Sequence, residues 1–112
     1  MKMVVAIIQP QQLPAVKNAL FDARIKHLTV TNVLGTAPEG AAKHHFRGVE
    51  YEISLFQKVR LELPVKESGV EAAIDAITLG ARQSGGFGII FVTELHDAII
   101  VKTGERGERV VQ

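Results

Sequence analysis

Two rhythms of apolar residues run through this chain, one of short unbroken runs and one of helical spacing. The run MVVAIIQP (3–10) is continuously apolar up to Pro10, the pattern of a strand buried on both faces or held at a sheet centre. LPAVKNALFDARI then puts Leu13, Val16, Leu20 and Ala23 on one helical stripe. Pro14 falls in its first turn, where a missing N–H costs nothing. The β-branched stretch HLTVTNVLG (27–35) stops at Gly35 and predicts a second strand.

From Thr36 to Ser54 no period holds. TAPEGAAKHHFRGVEYEIS is small and polar, with Pro38, Gly40 and Gly48, and reads as one long loop of the functional or mobile kind. LFQKVRLELPV (55–65) sets Phe56, Lys58, Arg60 and Glu62 against Leu55, Val59, Leu61 and Leu63 in imperfect alternation, as a half-covered strand would. ESGVEAAIDAITLGARQ predicts a second helix, with Ser68 and Glu71 in capping-box spacing and a stripe of Val70, Ile74, Ile77 and Ala81. GIIFVTEL (88–95) is a further strand, DAIIVKTG (97–104) a short last one, and 105–112 a charged, loose tail.

The order β-α-β, long loop, β-α-β predicts one domain over residues 1–112: a ferredoxin-like βαββαβ α+β sandwich with a short extra C-terminal strand. Both helices would cover one sheet face. So many apolar strand residues are poor candidates for solvent that the other face is expected to bury against sister chains.

Composition then removes whole classes of function. A formal net charge of +1 gives no reason to propose nucleic acid, and no cysteine means no disulfide, thiolate metal site or cysteine nucleophile. No signal peptide and no run approaching ~18 apolar residues is present, which points to a cytoplasmic protein. Glu62 and Glu94 are the strand-placed acids, and no serine–histidine–aspartate or metal-hydrolase spacing accompanies them, so catalysis is not expected. SGGFGIIFV (84–92) has the glycines of a phosphate-cradling loop, yet its neighbours are Phe87, Ile89 and Ile90 where a cation would normally stand. A tight helix-to-strand connection explains the same glycines equally well.

RGVEY (47–51), QKVRLEL (57–63), AIIQPQQL, TVTNVLG (29–35) and KTGE after the last strand resemble the PII signal-transduction family, the nitrogen regulatory P-II proteins, at almost constant spacing over nearly the whole chain. The resemblance implies a ferredoxin-like homotrimer that binds ATP or ADP in clefts between subunits, with 2-oxoglutarate beside ATP through Mg2+. It implies control of a transporter or metabolic enzyme in nitrogen metabolism through the loop at 36–54. It places Thr29, Gly35, Lys58 and Glu62 at nucleotide- or effector-contacting positions. Glu62 would accept from the adenine amino group and Lys58 would reach a phosphate or carboxylate. Gly86 and Gly88 would wrap the phosphates, and Lys102 replaces an arginine of the same sign. Arg47 and Glu50 would dock partners, and Tyr51 stands where some relatives are nucleotidylated.

The departures from that pattern carry chemistry too. The glycine loop is one residue short, Ile89 and Ile100 replace two expected cations, and Glu39 replaces the glutamine expected to hold magnesium. Each lost cation removes a charge-assisted hydrogen bond of about 1.5–3 kcal/mol. Together they would weaken a triphosphate by roughly two to four orders of magnitude. The loop reads as a phosphate cradle that has lost charge, suited to a smaller or less charged ligand or to none, with ATP, ADP or AMP held only through weakened phosphate contacts. Glu39 places a carboxylate where 2-oxoglutarate would chelate, which argues against ordinary 2-oxoglutarate sensing. Glu39 with His44 and His45 frames the alternative, a metal-responsive PII-like or CutA-like trimer without ATP and 2-oxoglutarate binding.

Overall fold

A computed structural model of the chain describes residues 1–36, 45–46, 49–50 and 54–112. In chain order the elements are β1 (Lys2–Ile8), α1 (Leu13–Asp22), β2 (Thr29–Gly35), the two-residue strands β3 (His45–Phe46) and β4 (Val49–Glu50), β5 (Phe56–Val65), α2 (Val70–Arg82) and β6 (Gly88–Glu94). The main sheet runs β2-β5-β1-β6, with every neighbour antiparallel. This is the ferredoxin-type α+β arrangement that the element order predicts, and β1 occupies an inner position of the sheet as its unbroken apolar run requires.

Alternation along the strands divides the sheet into two faces. Val4, Ala6 and Ile8 of β1 and Val59, Leu61, Leu63 and Val65 of β5 are buried in one core with Val16 and Leu20 of α1 and Ala73, Ala76 and Ile77 of α2. Lys58, Arg60 and Glu62, one residue out of phase, lie on the other face. That face carries large apolar side chains about half exposed in the single chain, Ile89 at 53% and Phe91 at 49%.

The helices meet more closely than their hydrophobic pattern suggests. Of the stripe Val70, Ile74, Ile77 and Ala81, α2 buries Ile77 and Ala81 and packs Val70 against the core, and it buries Ala73, Ala76 and Gly80 besides. Small residues at the contact let two helix backbones approach, so bulk marks only part of the buried face. The Ser68–Glu71 capping box is not formed. Residues Glu67–Gly69 make a 3₁₀ turn and Gly69 is the N-cap, with no side-chain cap bond. In α1, Arg24 takes φ of 65° just past the last turn, and the N–H of Ile25 closes back on the carbonyl of Leu20 at 2.9 Å.

Two expectations about the C-terminal region are corrected. In place of a strand over 97–104 there is an isolated antiparallel bridge, Ile99 to Arg106, around a turn at 101–103. The tail is anchored, not loose: the Gln112 side chain accepts from the N–H groups of Lys26 and His27 at 3.0 Å each and donates to the His27 carbonyl. The Gln112 carbonyl accepts from the N–H of Lys66 at 2.9 Å. Those backbone groups lie beyond the sheet ladder and need partners, which a terminal glutamine amide supplies.

The bridge is reinforced by charge. Arg106 Nε donates to Asp97 Oδ2 at 3.1 Å, and the N–H of Ala98 donates to Asp97 Oδ1 at 2.8 Å. Arg106 first, then the Ala98 N–H, hold the Asp97 carboxyl below its ordinary value of 3.8. A depressed folded-state value means the pairing contributes fully above the unfolded value and is lost as pH falls through the folded one. Amide protection factors over 97–107, which divide out the intrinsic pH dependence of exchange, are therefore expected to stay constant from neutral pH down to about the ordinary carboxylate value and to fall below it. Asp97→Asn should show the lowered protection at neutral pH as well.

Candidate functional site

A cleft of about 430 Å3 opens at the end of the sheet where β1 finishes. Its floor is Ile7, Ile8 and Gln9, one wall is Gly35, Thr36 and Lys58, and the other is Gly86, Phe87, Gly88 and Ile89. Antiparallel register brings these together, because Ile8 faces Gly88 across β1 and β6, and Gly35 faces Phe56 two residues before Lys58. Four residues singled out in the sequence, Gly35, Lys58, Gly86 and Gly88, thus line one cavity although they are far apart in the chain.

Gly88 is required by contact as well as by conformation, whereas Gly35 is in ordinary contact with its neighbour. A Cβ on Gly35 would lie 3.4 Å from Cγ of Lys58, so its absence leaves room for the lysine stem along the wall. A Cβ on Gly88 would lie 3.0 Å from the Ile7 carbonyl oxygen and 3.3 Å from Cγ2 of Ile8. The loop is also a helix terminator. Gly86, at φ 76°, donates its N–H to the Ala81 carbonyl at 2.9 Å, and Ser84 donates to the same oxygen at 3.1 Å. One of the amides expected to face a phosphate is therefore already engaged.

Gln12 holds this corner from below. It is fully buried, and its Oε1 accepts from the N–H of Gln9 at 2.8 Å. Its Nε2 donates to the carbonyls of Ala81 and Ser84, each at 3.2 Å. One side chain thereby ties the floor of the cleft to the end of α2 and the start of the glycine loop. Nothing in its spacing marks it out from Gln9 and Gln11; only its burial does.

The remaining expected residues are more dispersed. Thr29 and Glu62 are direct cross-strand partners on the Lys58 face, further along the sheet from the cleft. Arg60 Nε donates to Glu62 Oε1 at 3.2 Å, so the carboxylate has a cation beside it. Lys102 sits on the exposed turn at 101–103 and does not line the cleft of its own chain. Arg82 lines a neighbouring pocket of about 150 Å3 that shares the glycine loop, and Arg106 is committed to Asp97. Glu39, His44, Arg47 and Tyr51 lie outside the described residues. His45 and Glu50 are backbone partners in the β3–β4 ladder. Among the described residues no group of three or more histidine or acidic side chains could hold a metal ion, and no helix is long and apolar enough to cross a membrane.

Fold and cleft together define a ferredoxin-type protein with a ligand-sized cavity walled by a glycine loop and a lysine-bearing strand. A family model described as nitrogen regulatory protein P-II matches residues 1–105. Similar proteins include the nitrogen regulatory protein GlnK2 of Haloferax mediterranei, 41% identical over 98% of this chain and 90% of that one. Another is the nitrogen regulatory protein P-II of Rhodospirillum rubrum, 40% identical over 96% of each. Among solved structures, Arabidopsis thaliana PII bound to citrate superimposes with a TM-score of 0.75 at 35% identity, covering 96% of this chain and 86% of that one. The chain belongs to the nitrogen regulatory protein P-II family.

Proposed function

We propose that the protein is a trimeric regulator in which the cleft binds an adenine nucleotide or a related small effector. The ligand state is passed through residues 36–54 to a transporter or metabolic enzyme of nitrogen metabolism. The observation that carries this reading is the convergence of Gly35, Lys58, Gly86 and Gly88 on one cavity of about 430 Å3, within the size range of small-molecule sites. The half-exposed apolar side chains on the uncovered sheet face support assembly, since single chains rarely leave such a face to water. In a trimer the Lys102 turn of one copy is free to approach the cleft of another, which accounts for its distance from its own.

The switch is a population shift. A ligand touching Gly35 and Thr36 sits at the root of the segment beginning at 37, and it favours whichever arrangement of that segment it binds better. Tyr51 is the candidate covalent modification site in that segment. Mg2+ would act only as a counter-ion to the ligand's phosphates.

Calorimetry with ATP, ADP and AMP, each with and without Mg2+ and 2-oxoglutarate, tests the reading directly. Lys58→Ala is expected to weaken the tightest nucleotide by about tenfold or more, the equivalent of one charge-assisted hydrogen bond. Amide exchange over 36–54 should change on binding. A monomer by light scattering, or no nucleotide binding by the folded protein, would refute it.

A further inference from the structure

We infer that residues 108–112 form a releasable strap, hinged at Gly107 and latched by Gln112, that sets how firmly the entrance of β2 is held against β5. Up to Gly107 the chain is fixed. Ile99 bridges Arg106, Arg106 pairs with Asp97, and the Gly107 N–H donates to the Ala98 carbonyl at 3.0 Å. Gly107 takes φ of 88°, and a Cβ there would meet nothing within 4 Å, so backbone conformation alone calls for glycine at the hinge. Beyond it, the N–H groups of Val110 and Val111 donate locally, to the carbonyls of Gly107 and Glu108. Arg109 approaches Glu105 at 3.9 Å, an exposed pair that adds little. Among the described residues, every hydrogen bond from 108–112 to the domain beyond the hinge ends on Gln112.

The latch grips both strands of one pair. Its side chain holds the N–H groups of Lys26 and His27, just before β2, and its carbonyl holds the N–H of Lys66, just after β5. These strands are antiparallel neighbours with Thr29 opposite Glu62, so one residue clips together the two segments that leave this end of the ladder. Within the chain β2 is an outer strand, paired with β5 on one side only. The bonds of the Gln112 side chain are exposed, so water competes with them and the strap can open without moving a core residue. Without the amide, one main-chain bond remains at Lys66. It does not offset the entropy of ordering five residues, even with Val110 and Val111 half-buried. The strap is therefore a control point at the opposite end of β2 from Gly35. Closed, it keeps Thr29 and Glu62 in register; open, it lets the entrance of β2 fray.

Residue-resolved amide exchange on the full chain tests this. In the unmodified protein Lys26, His27 and Lys66 should share one protection factor within about threefold, at least about tenfold below those of Leu61 and Leu63. Gln112→Ala leaves the main-chain acceptor of Lys66 in place, yet protection at Lys66 should fall by about tenfold or more, together with Lys26 and His27. The ladder-bonded amides among residues 29–31 should fall with them, and by more than any loss at Leu61 and Leu63. Gly107→Ala strains the hinge from the other end and should lower the same amides by a smaller factor. Lys66 unchanged in Gln112→Ala means separate contacts and no strap, which overturns the inference. So does protection of Lys26, His27 and Lys66 equal to that of Leu61 and Leu63 in the unmodified protein, because they then open only with the whole fold. Residues 29–31 losing no more than Leu61 and Leu63 overturns the control of β2.

Discussion

Gly80→Ala is expected to lower stability by about 3 kcal/mol and the melting temperature by about 15 °C. An ordinary helix interior would gain from this change, because alanine is favoured over glycine by about 1 kcal/mol. Here the added Cβ would lie 2.5 Å from Val16 Cα, 2.7 Å from its nitrogen and 2.8 Å from the Ala15 carbonyl carbon. All three are backbone atoms of α1, so no rotamer can yield and the helices must part. Parting them opens voids around Val16, Leu20 and Ile77, each fully or almost fully buried. Steric cost thus outweighs propensity and the sign reverses. Thermal and urea unfolding at fixed chain concentration measure it, and a melting temperature equal to or above the unmodified protein's would contradict the close approach.

The second large effect is at Gln12, where alanine should cost about 3 kcal/mol. The Gln9 N–H loses its acceptor, the Ala81 and Ser84 carbonyls each lose a donor, and a cavity remains where the amide was. Ala81 retains the N–H groups of Ser84 and Gly86, so the Gln9 amide and the void dominate. Gln12→Glu separates polar from steric causes. It keeps the shape and the Gln9 bond but sets a carboxylate against two carbonyl oxygens, so it should be destabilising near neutral pH and improve as the carboxyl is protonated. Because Gln12 underlies the glycine loop, both variants should weaken ligand binding beyond what unfolding explains. Denaturation paired with calorimetry at a temperature where the variants are folded would detect this; intact affinity would show that the loop holds its shape unaided.

The strands were plain to read because their signals are local. β1, β5 and β6 each announce themselves by a continuous or alternating apolar run, and Lys58, Arg60 and Glu62 fell on one face from parity alone. The apolar stripe of α2 gives Ile77 and Ala81 of its buried face but not Ala73, Ala76 and Gly80, which are buried for their smallness, a property visible only once α1 lies across them. The capping box failed for a related reason: a 3₁₀ turn placed Ser68 inside the helical path rather than at its entrance. The role of Gln112 is invisible in the sequence because its hydrogen bonds to Lys26, His27 and Lys66 join distant parts of the chain and leave no periodic trace. Of the site, Gly35, Lys58, Gly86 and Gly88 were accessible through the family resemblance. Gln12 and the apolar floor were not, because both depend on which residues the register sets side by side.

The base of the cavity is the terminus of β1, an inner strand whose Val4, Ala6 and Ile8 anchor the whole interior, whereas its rim comprises partly or largely exposed side chains on β6 and on the turn before it. Changing the exposed side chains Phe87 or Ile89 at the rim should therefore cost folding little, whereas changing Ile8 at the base should cost far more. The lip of the cavity can thus be rebuilt in charge and shape without loosening the interior that supports it.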